Sequence, residues 1–203
     1  GGSGKMILTN IGEHNVESIY VGRAGANYGW NEREGPFLFK KSDADRVYPL
    51  PTNDATFGYT YPVALYDHDE GQSIVGGFVY RGTGIPELHG KYVFGDIVNG
   101  RLFYAAESTL TTAATPNQQA PIYELKLVNA QGAPVTLLQL VAPSTRVDLR
   151  FGLDAAGELL LSDKQTGQIW RLMRVGGNAT ATPTPTMLPS PGTGTPTTNT
   201  PTP

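Results

Sequence analysis

The sequence contains no cysteine. Disulfides and thiolate metal sites are therefore excluded, which fits either a cytosolic protein or a bacterial secreted one. No apolar run approaches the ~20 residues needed to cross a bilayer as a helix. No basic cluster exists either: 15 Lys and Arg stand against 18 Asp and Glu, for a net charge of −3. That balance argues against nucleic acid or an anionic membrane as the main partner. Residues 179–203 carry no charge at all and are almost entirely Thr, Pro, Ala, Ser and Gly. Such a composition cannot bury a core, so 179–203 is expected to be a disordered Thr/Pro-rich linker and 1–178 the globular part. The sequence shows no signal peptide and does not open on methionine, so the expectation is that its start lies upstream. A Thr/Pro spacer favours an extracellular or cell-envelope setting, in a bacterium. The sequon at Asn178 is too short a pattern to carry weight.

What the chain does have is a succession of short runs rich in Val, Ile, Tyr and Phe, the residues that suit a pleated, half-buried surface. Four of them, at 60–67, 73–82, 91–97 and 100–107, predict four antiparallel strands in a row. That is the content of one β-propeller blade. Asn99-Gly100 predicts a tight hairpin turn between the last two, and Pro86 breaks the second strand from the third. A short strand is expected at 6–9, and further strands at 121–128 and 134–141, the latter pair joined by a loop ending in Gly132. A last hairpin turns at 164–167. Residues 31–59 read as an irregular excursion between strands, and Trp30 as a plug in a core or between blades. The fold class expected is all-β: roughly eleven or twelve strands, about three blades at four strands each.

Three motifs in order carry a family resemblance. They are GANYGWNEREG at 25–35, GQSIVGGFVYRG followed by IPELHGKYVFGDIVNGRLF at 71–103, and FGLDAAGELLLSDKQTGQIWRL at 151–172. Together they resemble the quinoprotein glucose/sorbosone dehydrogenase superfamily over most of residues 7–174. The hedgehog-interacting-protein-like branch is the nearer match, ahead of the soluble aldose dehydrogenases. The resemblance implies a six-bladed propeller of which this chain is the C-terminal half, with the remaining N-terminal blades as its natural partner. Open strand edges in a free half-propeller point the same way.

The same resemblance implies a secreted protein that oxidises a sugar hydroxyl by hydride transfer to pyrroloquinoline quinone, with Ca2+ as second cofactor. Its general-base histidine would lie before Gly1, so the catalytic residue is unknown from this sequence. Gly12 and Glu13 fall in the loop whose backbone carbonyls hold the calcium in the relatives, and calcium takes oxygen ligands. They are the expected metal residues. Gly12, Glu13, His68 and Arg146 are the expected cofactor-binding residues. His68 lies near a position that lines the cofactor pocket; its other reading is a loop histidine bonded to backbone. Two departures weaken the quinone reading. The lysine that follows the third strand in the aldose dehydrogenases is absent from Asp96-Ile97-Val98-Asn99-Gly100. Arg146 stands one position from its counterpart, and a one-residue slip turns a strand side chain to the other face. Asp96 reads as a turn-bracing side chain and Glu17 as a loop-bracing or solvated carboxylate. The alternative function is a non-catalytic extracellular propeller that binds a glycan or a protein.

Overall fold

The computed structural model describes residues 3–111, 115–175 and the two-residue strand at 185–186. Strands β1 (Ile7–Asn10) and β2 (Val16–Val21) form an antiparallel hairpin. The chain then leaves the sheet, and three short strands, β3 (Arg33–Glu34), β4 (Phe37–Phe39) and β5 (Val47–Tyr48), make a small sheet of their own. The region expected to be irregular thus has structure, pinned by contacts described below. β6 (Ala64–Asp67) returns to pair with β2.

Next come β7 (Ile74–Val79), β8 (Lys91–Asp96), β9 (Leu102–Ala106) and β10 (Ile122–Leu125), consecutive neighbours in one antiparallel sheet. The expected four-strand blade is therefore shifted by one strand. The run at 60–67 closes the preceding sheet, and β10 supplies the fourth strand of this one. β11 (Leu127–Val128) and β12 (Pro134–Val135) form a two-stranded ribbon. β13 (Leu149–Leu153), β14 (Leu159–Asp163) and β15 (Ile169–Arg171) form the last sheet. β16 (Pro185–Thr186) pairs with β10; apart from it, the segment expected to be a disordered linker lies outside the described residues.

The protein is all-β; the described residues form five antiparallel sheets, none of them closed. Three larger sheets follow one another along the chain. β7 packs against β1 on one side and β13 on the other, and β10 meets β6. That order and packing are what a partial propeller requires. The middle sheet is buried on both faces, which explains why its strands read as unbroken apolar runs. The period of two sorts them. Tyr92, Phe94, Phe103 and Ala105 join Ile19, Ala64 and Tyr66 of the first sheet. Val93 and Tyr104 face Leu159, and Leu102 faces Leu149 and Leu161, all of the third sheet. The pairing of β7 with β8 slips between Val75 and Phe78. A side chain at Gly77 would place its Cβ 2.0 Å from the Val93 carbonyl oxygen, so only glycine fits this bulge.

Three local expectations change. The apolar run at 134–141 is not one strand. After β12 it forms a helical turn, Leu137–Leu140, because Thr136 and Gln139 make a reciprocal capping box: the Gln139 N–H donates to Thr136 Oγ1 at 3.2 Å and the Thr136 N–H to Gln139 Oε1 at 2.8 Å. In the β8–β9 turn only Gly100 has a positive φ; Asn99 does not, and a longer turn closed by the Gly100 N–H to the Asp96 carbonyl replaces the tight one. Trp30 is 53% exposed and plugs no core. Among the described residues no helix is long and apolar enough to cross a membrane.

Candidate functional site

The loops at one end of the three sheets meet through hydrogen bonds, and most of the residues singled out in the sequence lie there. The first loop joins β1 to β2. At Gly12 an added Cβ would sit 2.1 Å from the Val16 carbonyl oxygen, so the turn admits no side chain. Glu34, 1% exposed, reaches into this loop from β3. One of its oxygens, Oε1, accepts the N–H groups of Glu13 (3.0 Å), His14 (3.2 Å), Asn15 (2.7 Å) and Val16 (3.1 Å). The other accepts Asn15 Nδ2 at 3.0 Å. Successive backbone donors converging on one anion make a nest, here filled by the protein's own carboxylate. Glu34 has no local sequence signal: its partners lie about twenty residues earlier, and it sits in a stretch without strand periodicity.

Glu17 is fully buried behind the same loop. It accepts the Gly12 N–H at 3.3 Å, His68 Nε2 at 2.9 Å and the Ile74 N–H at 2.8 Å. Burial pushes its carboxyl above the ordinary range, and these donors pull it back. It is a bracing carboxylate, not a solvated one. His68 also donates its backbone N–H to the Asn15 carbonyl at 3.1 Å. The fold therefore brings Gly12, Glu17 and His68 into direct contact, with Glu13 one residue along. The pairing orients the imidazole through Nε2 and leaves Nδ1 as the nitrogen not committed to Glu17.

Asp96 ends β8 and is fully buried. Its Oδ1 accepts the N–H groups of Val98 (2.9 Å) and Asn99 (2.8 Å), the turn-bracing role its position implied. Its Oδ2 accepts those of Gln72 and Ser73, both at 2.6 Å, tying the turn to the β6–β7 loop. Tyr66 hydroxyl points at the same oxygen; burial and then Asp96 raise its pKa. The next link runs to the third sheet. The Val147 and Asp148 N–H groups donate to the Val98 and Ile97 carbonyls at 3.1 and 2.9 Å. Arg146 pairs locally. Its Nη2 lies 2.6 Å from Asp148 Oδ1 in an exposed pair.

Glu70, in the β6–β7 loop, has its carboxyl pushed up to about 7, first by burial and then by a hydrogen bond with Asp67. Its folded value lies above the ordinary 4.5, so the folded state holds this proton more tightly than the unfolded chain. The stabilisation is complete below about pH 4.5 and is lost as the pH rises to about 7. Glu70→Gln is expected to remove that part of the pH dependence. Thermal midpoints of the wild type should fall more between about pH 5 and pH 8 than those of the variant; equal falls would refute the assignment.

The expected cofactors meet a poor set of donors. Among the described residues no group of three or more His, Cys, Asp or Glu is arranged to hold a metal ion. Gly12 and Glu13 can offer calcium main-chain oxygens, but roughly six to eight oxygens are wanted, and Glu17 and Glu34 behind the loop are turned to N–H groups. A carboxylate-bearing quinone needs cations. Arg146 stands in an exposed pair with Asp148, Arg101 is paired with Glu124 and donates to the Glu70 carbonyl, Ile97 and Val98 stand where a lysine would, and Asp67 and Asp69 add negative charge. Among the described residues, this end of the sheets gathers no set of unpaired cations that fits the quinone.

The arrangement is that of a partial propeller whose loop end is braced by buried carboxylates. Compared with known proteins, the chain matches no family model. It is similar to the "HIPL2 protein" of Arabidopsis thaliana, 28% identical over 110 residues, a match that covers 51% of this chain and 15% of that protein. It is similar also to the "HIPL1 protein" of the same plant, 29% identical over 109 residues, with the same two coverages of 51% and 15%. The match thus spans about 15% of the length of these relatives. The likeness agrees with the hedgehog-interacting-protein-like resemblance in the motifs. The wider quinoprotein superfamily rests on the motifs alone.

Proposed function

We propose that this chain is part of an extracellular propeller that binds a glycan or protein ligand and carries out no oxidation. The observation that carries this reading is the commitment of the charged side chains at the loop end. Glu17, Glu34 and Asp96 saturate backbone donors, and Arg146 pairs with Asp148. Such bracing gives rigid loops, which lowers the ordering cost of binding a large ligand, and among the described residues the paired cations at this end form no cradle for a quinone. The second reading is a sugar dehydrogenase using pyrroloquinoline quinone and calcium, its general base on blades that precede Gly1. One feature favours it: the His68 imidazole held by a buried carboxylate, an arrangement suited to proton transfer.

The test is quinone uptake by the longest natural protein that contains this chain. Protein is mixed with pyrroloquinoline quinone and calcium, freed of excess by gel filtration, and its absorbance recorded. The binding reading expects no quinone to elute with folded protein. Stoichiometric quinone in the protein peak would overturn it and restore the dehydrogenase.

A further inference from the structure

A cavity of about 480 Å3 opens at the end of the sheets opposite the braced loops. The strands fix its position. Lys91 opens β8, which Asp96 closes at the loop end, and Lys91 pairs with Ala106 at the far end of β9. The Glu107 N–H donates to the Gly90 carbonyl at 3.0 Å and ties the two strand ends together. The segment that leads into β1 lies against them. Ser3, Lys5, His89, Lys91, Glu107 and Ser108 line the space.

The charges around this cavity do not balance. Glu107 supplies the carboxylate of the lining, and both of its oxygens are committed: one accepts the Ser3 hydroxyl and the other Arg81 Nη2. Ser3 and then Arg81 hold its carboxyl below the ordinary range. Lys5 Nζ donates to the Glu107 and Leu110 carbonyls at 2.8 and 2.9 Å, which fixes the ammonium without neutralising it and leaves its third N–H. Lys91 Nζ lies 4.9 Å from the centre of the Tyr104 ring. Among the described residues no carboxylate comes within ion-pair distance of either lysine. Glu87, the acid nearest His89 in the chain, is paired with Arg174. Lys5, Lys91 and Arg81 thus stand against Glu107 alone, in a protein whose net charge is −3. The His89 ring and the Ser108 hydroxyl make no hydrogen bond among the described residues and are free to donate.

Ammonium groups with spare N–H bonds, an imidazole and a hydroxyl around one space suit an oxyanion, whose oxygens all accept and gain most from charged donors. The Lys5 ammonium is already fixed, so it needs little ordering to receive one. A metal cation is repelled by the same lysines. Nucleic acid would need a longer basic track than this acidic chain offers. The space is larger than one tetrahedral oxyanion, so the group can arrive as an ester on a larger molecule. We propose that this cavity is a binding site for a sulfate or phosphate ester group, held by Lys5, Lys91, His89 and Ser108. It lies away from the loop end and depends neither on the function proposed above nor on whether a quinone binds.

The test is titration of the isotope-labelled full chain with sodium sulfate and with sodium phosphate, followed by amide NMR shifts. Ionic strength is held constant so that screening does not change. Saturable shifts are expected at residues 89–91 and 106–108 with at least one of the ions, at a dissociation constant of about 1 mM. Sulfate alone would assign a sulfate ester, phosphate alone a phosphate ester, and both an oxyanion site open to either. Lys91→Ala should weaken binding about fivefold or more, since it removes a charged donor. Lys91→Gln, which keeps the stem and drops the charge, should do nearly the same. Lys164→Ala, at the opposite end of the sheets, should leave binding unchanged. Thermal midpoints near wild type in each variant separate lost binding from lost folding. Three results overturn the proposal. The first is no saturable shift with either ion. The second is shifts scattered over surface lysines and not gathered at the cavity, which would mean an adventitious ion only. The third is an affinity that survives Lys91→Gln unchanged.

Discussion

Asp96→Ala is expected to be the most damaging single substitution in this chain. The carboxylate is fully buried, and its two oxygens accept four backbone N–H groups, from Gln72, Ser73, Val98 and Asn99. Alanine removes the acceptors and leaves the donors, several of them without water to replace what is lost. Each orphaned donor costs about 1–3 kcal/mol, and bonds to a charged acceptor are at the strong end. The total is on the order of 4 kcal/mol or more, a large part of the ~5–15 kcal/mol that holds a typical domain together. The variant should accumulate poorly in soluble form or unfold at much lower denaturant. Asp96→Asn keeps one acceptor oxygen but turns an NH2 group toward two N–H donors, so it should also be severe. An Asp96→Ala protein that unfolds at the wild-type midpoint would show that the turn and the β6–β7 loop are held by something else.

Glu34→Ala is the second large effect, and it should be local before it is global. The side chain holds the N–H groups of residues 13–16 on one oxygen, from a separate small sheet. Its loss frees the loop that carries Gly12 and Glu13 and unties β3 from β2. A cost of ~3 kcal/mol is expected, with Glu34→Gln losing about half as much, since its amide oxygen can still accept. Hydrogen exchange reads the distinction: amides at 13–16 should lose protection in Glu34→Ala well before those of β8 and β9. Uniform loss of protection across the chain, or none, would contradict the bracing role. The same loosening should reach His68, whose backbone N–H is held by Asn15. The binding function proposed above therefore predicts weaker ligand binding in this variant even where the fold survives.

The sequence by itself determined the class of fold. Short β-branched and aromatic runs separated by Gly and Pro specify strands, and their spacing specifies antiparallel sheets in series, because strand propensity and turn chemistry are local properties. It also identified the Lys164–Gly167 hairpin and the turn-bracing role of Asp96, while it left Glu17 open between a solvated and a loop-bracing carboxylate. The order of strands within sheets was less legible. A run such as 60–67 fits either neighbour, and only the pairing of β6 with β2 assigns it. The stretch at 134–141 misled because so short a run, interrupted by Thr136 and Gln139, has no clear period, and the reciprocal bonds of those two residues tipped it to a helical turn.

Apart from the turn-bracing role of Asp96, the tertiary structure alone decided what the charged residues do. Glu34 and Glu17 look like ordinary acids in sequence. They are anchors because the fold delivers to them N–H groups from elsewhere in the chain, Ile74 lying 57 residues from Glu17. Arg146 read from sequence as a cofactor cation, and the fold sets it beside Asp148; Trp30 read as a plug in a core or between blades, and the fold leaves it half exposed against Phe39. The physical reason is common to all of them. A backbone preference is set by a residue and its immediate neighbours. The partner of a charge or a large ring is set by which distant segment arrives beside it, and a single chain's local pattern holds no record of that.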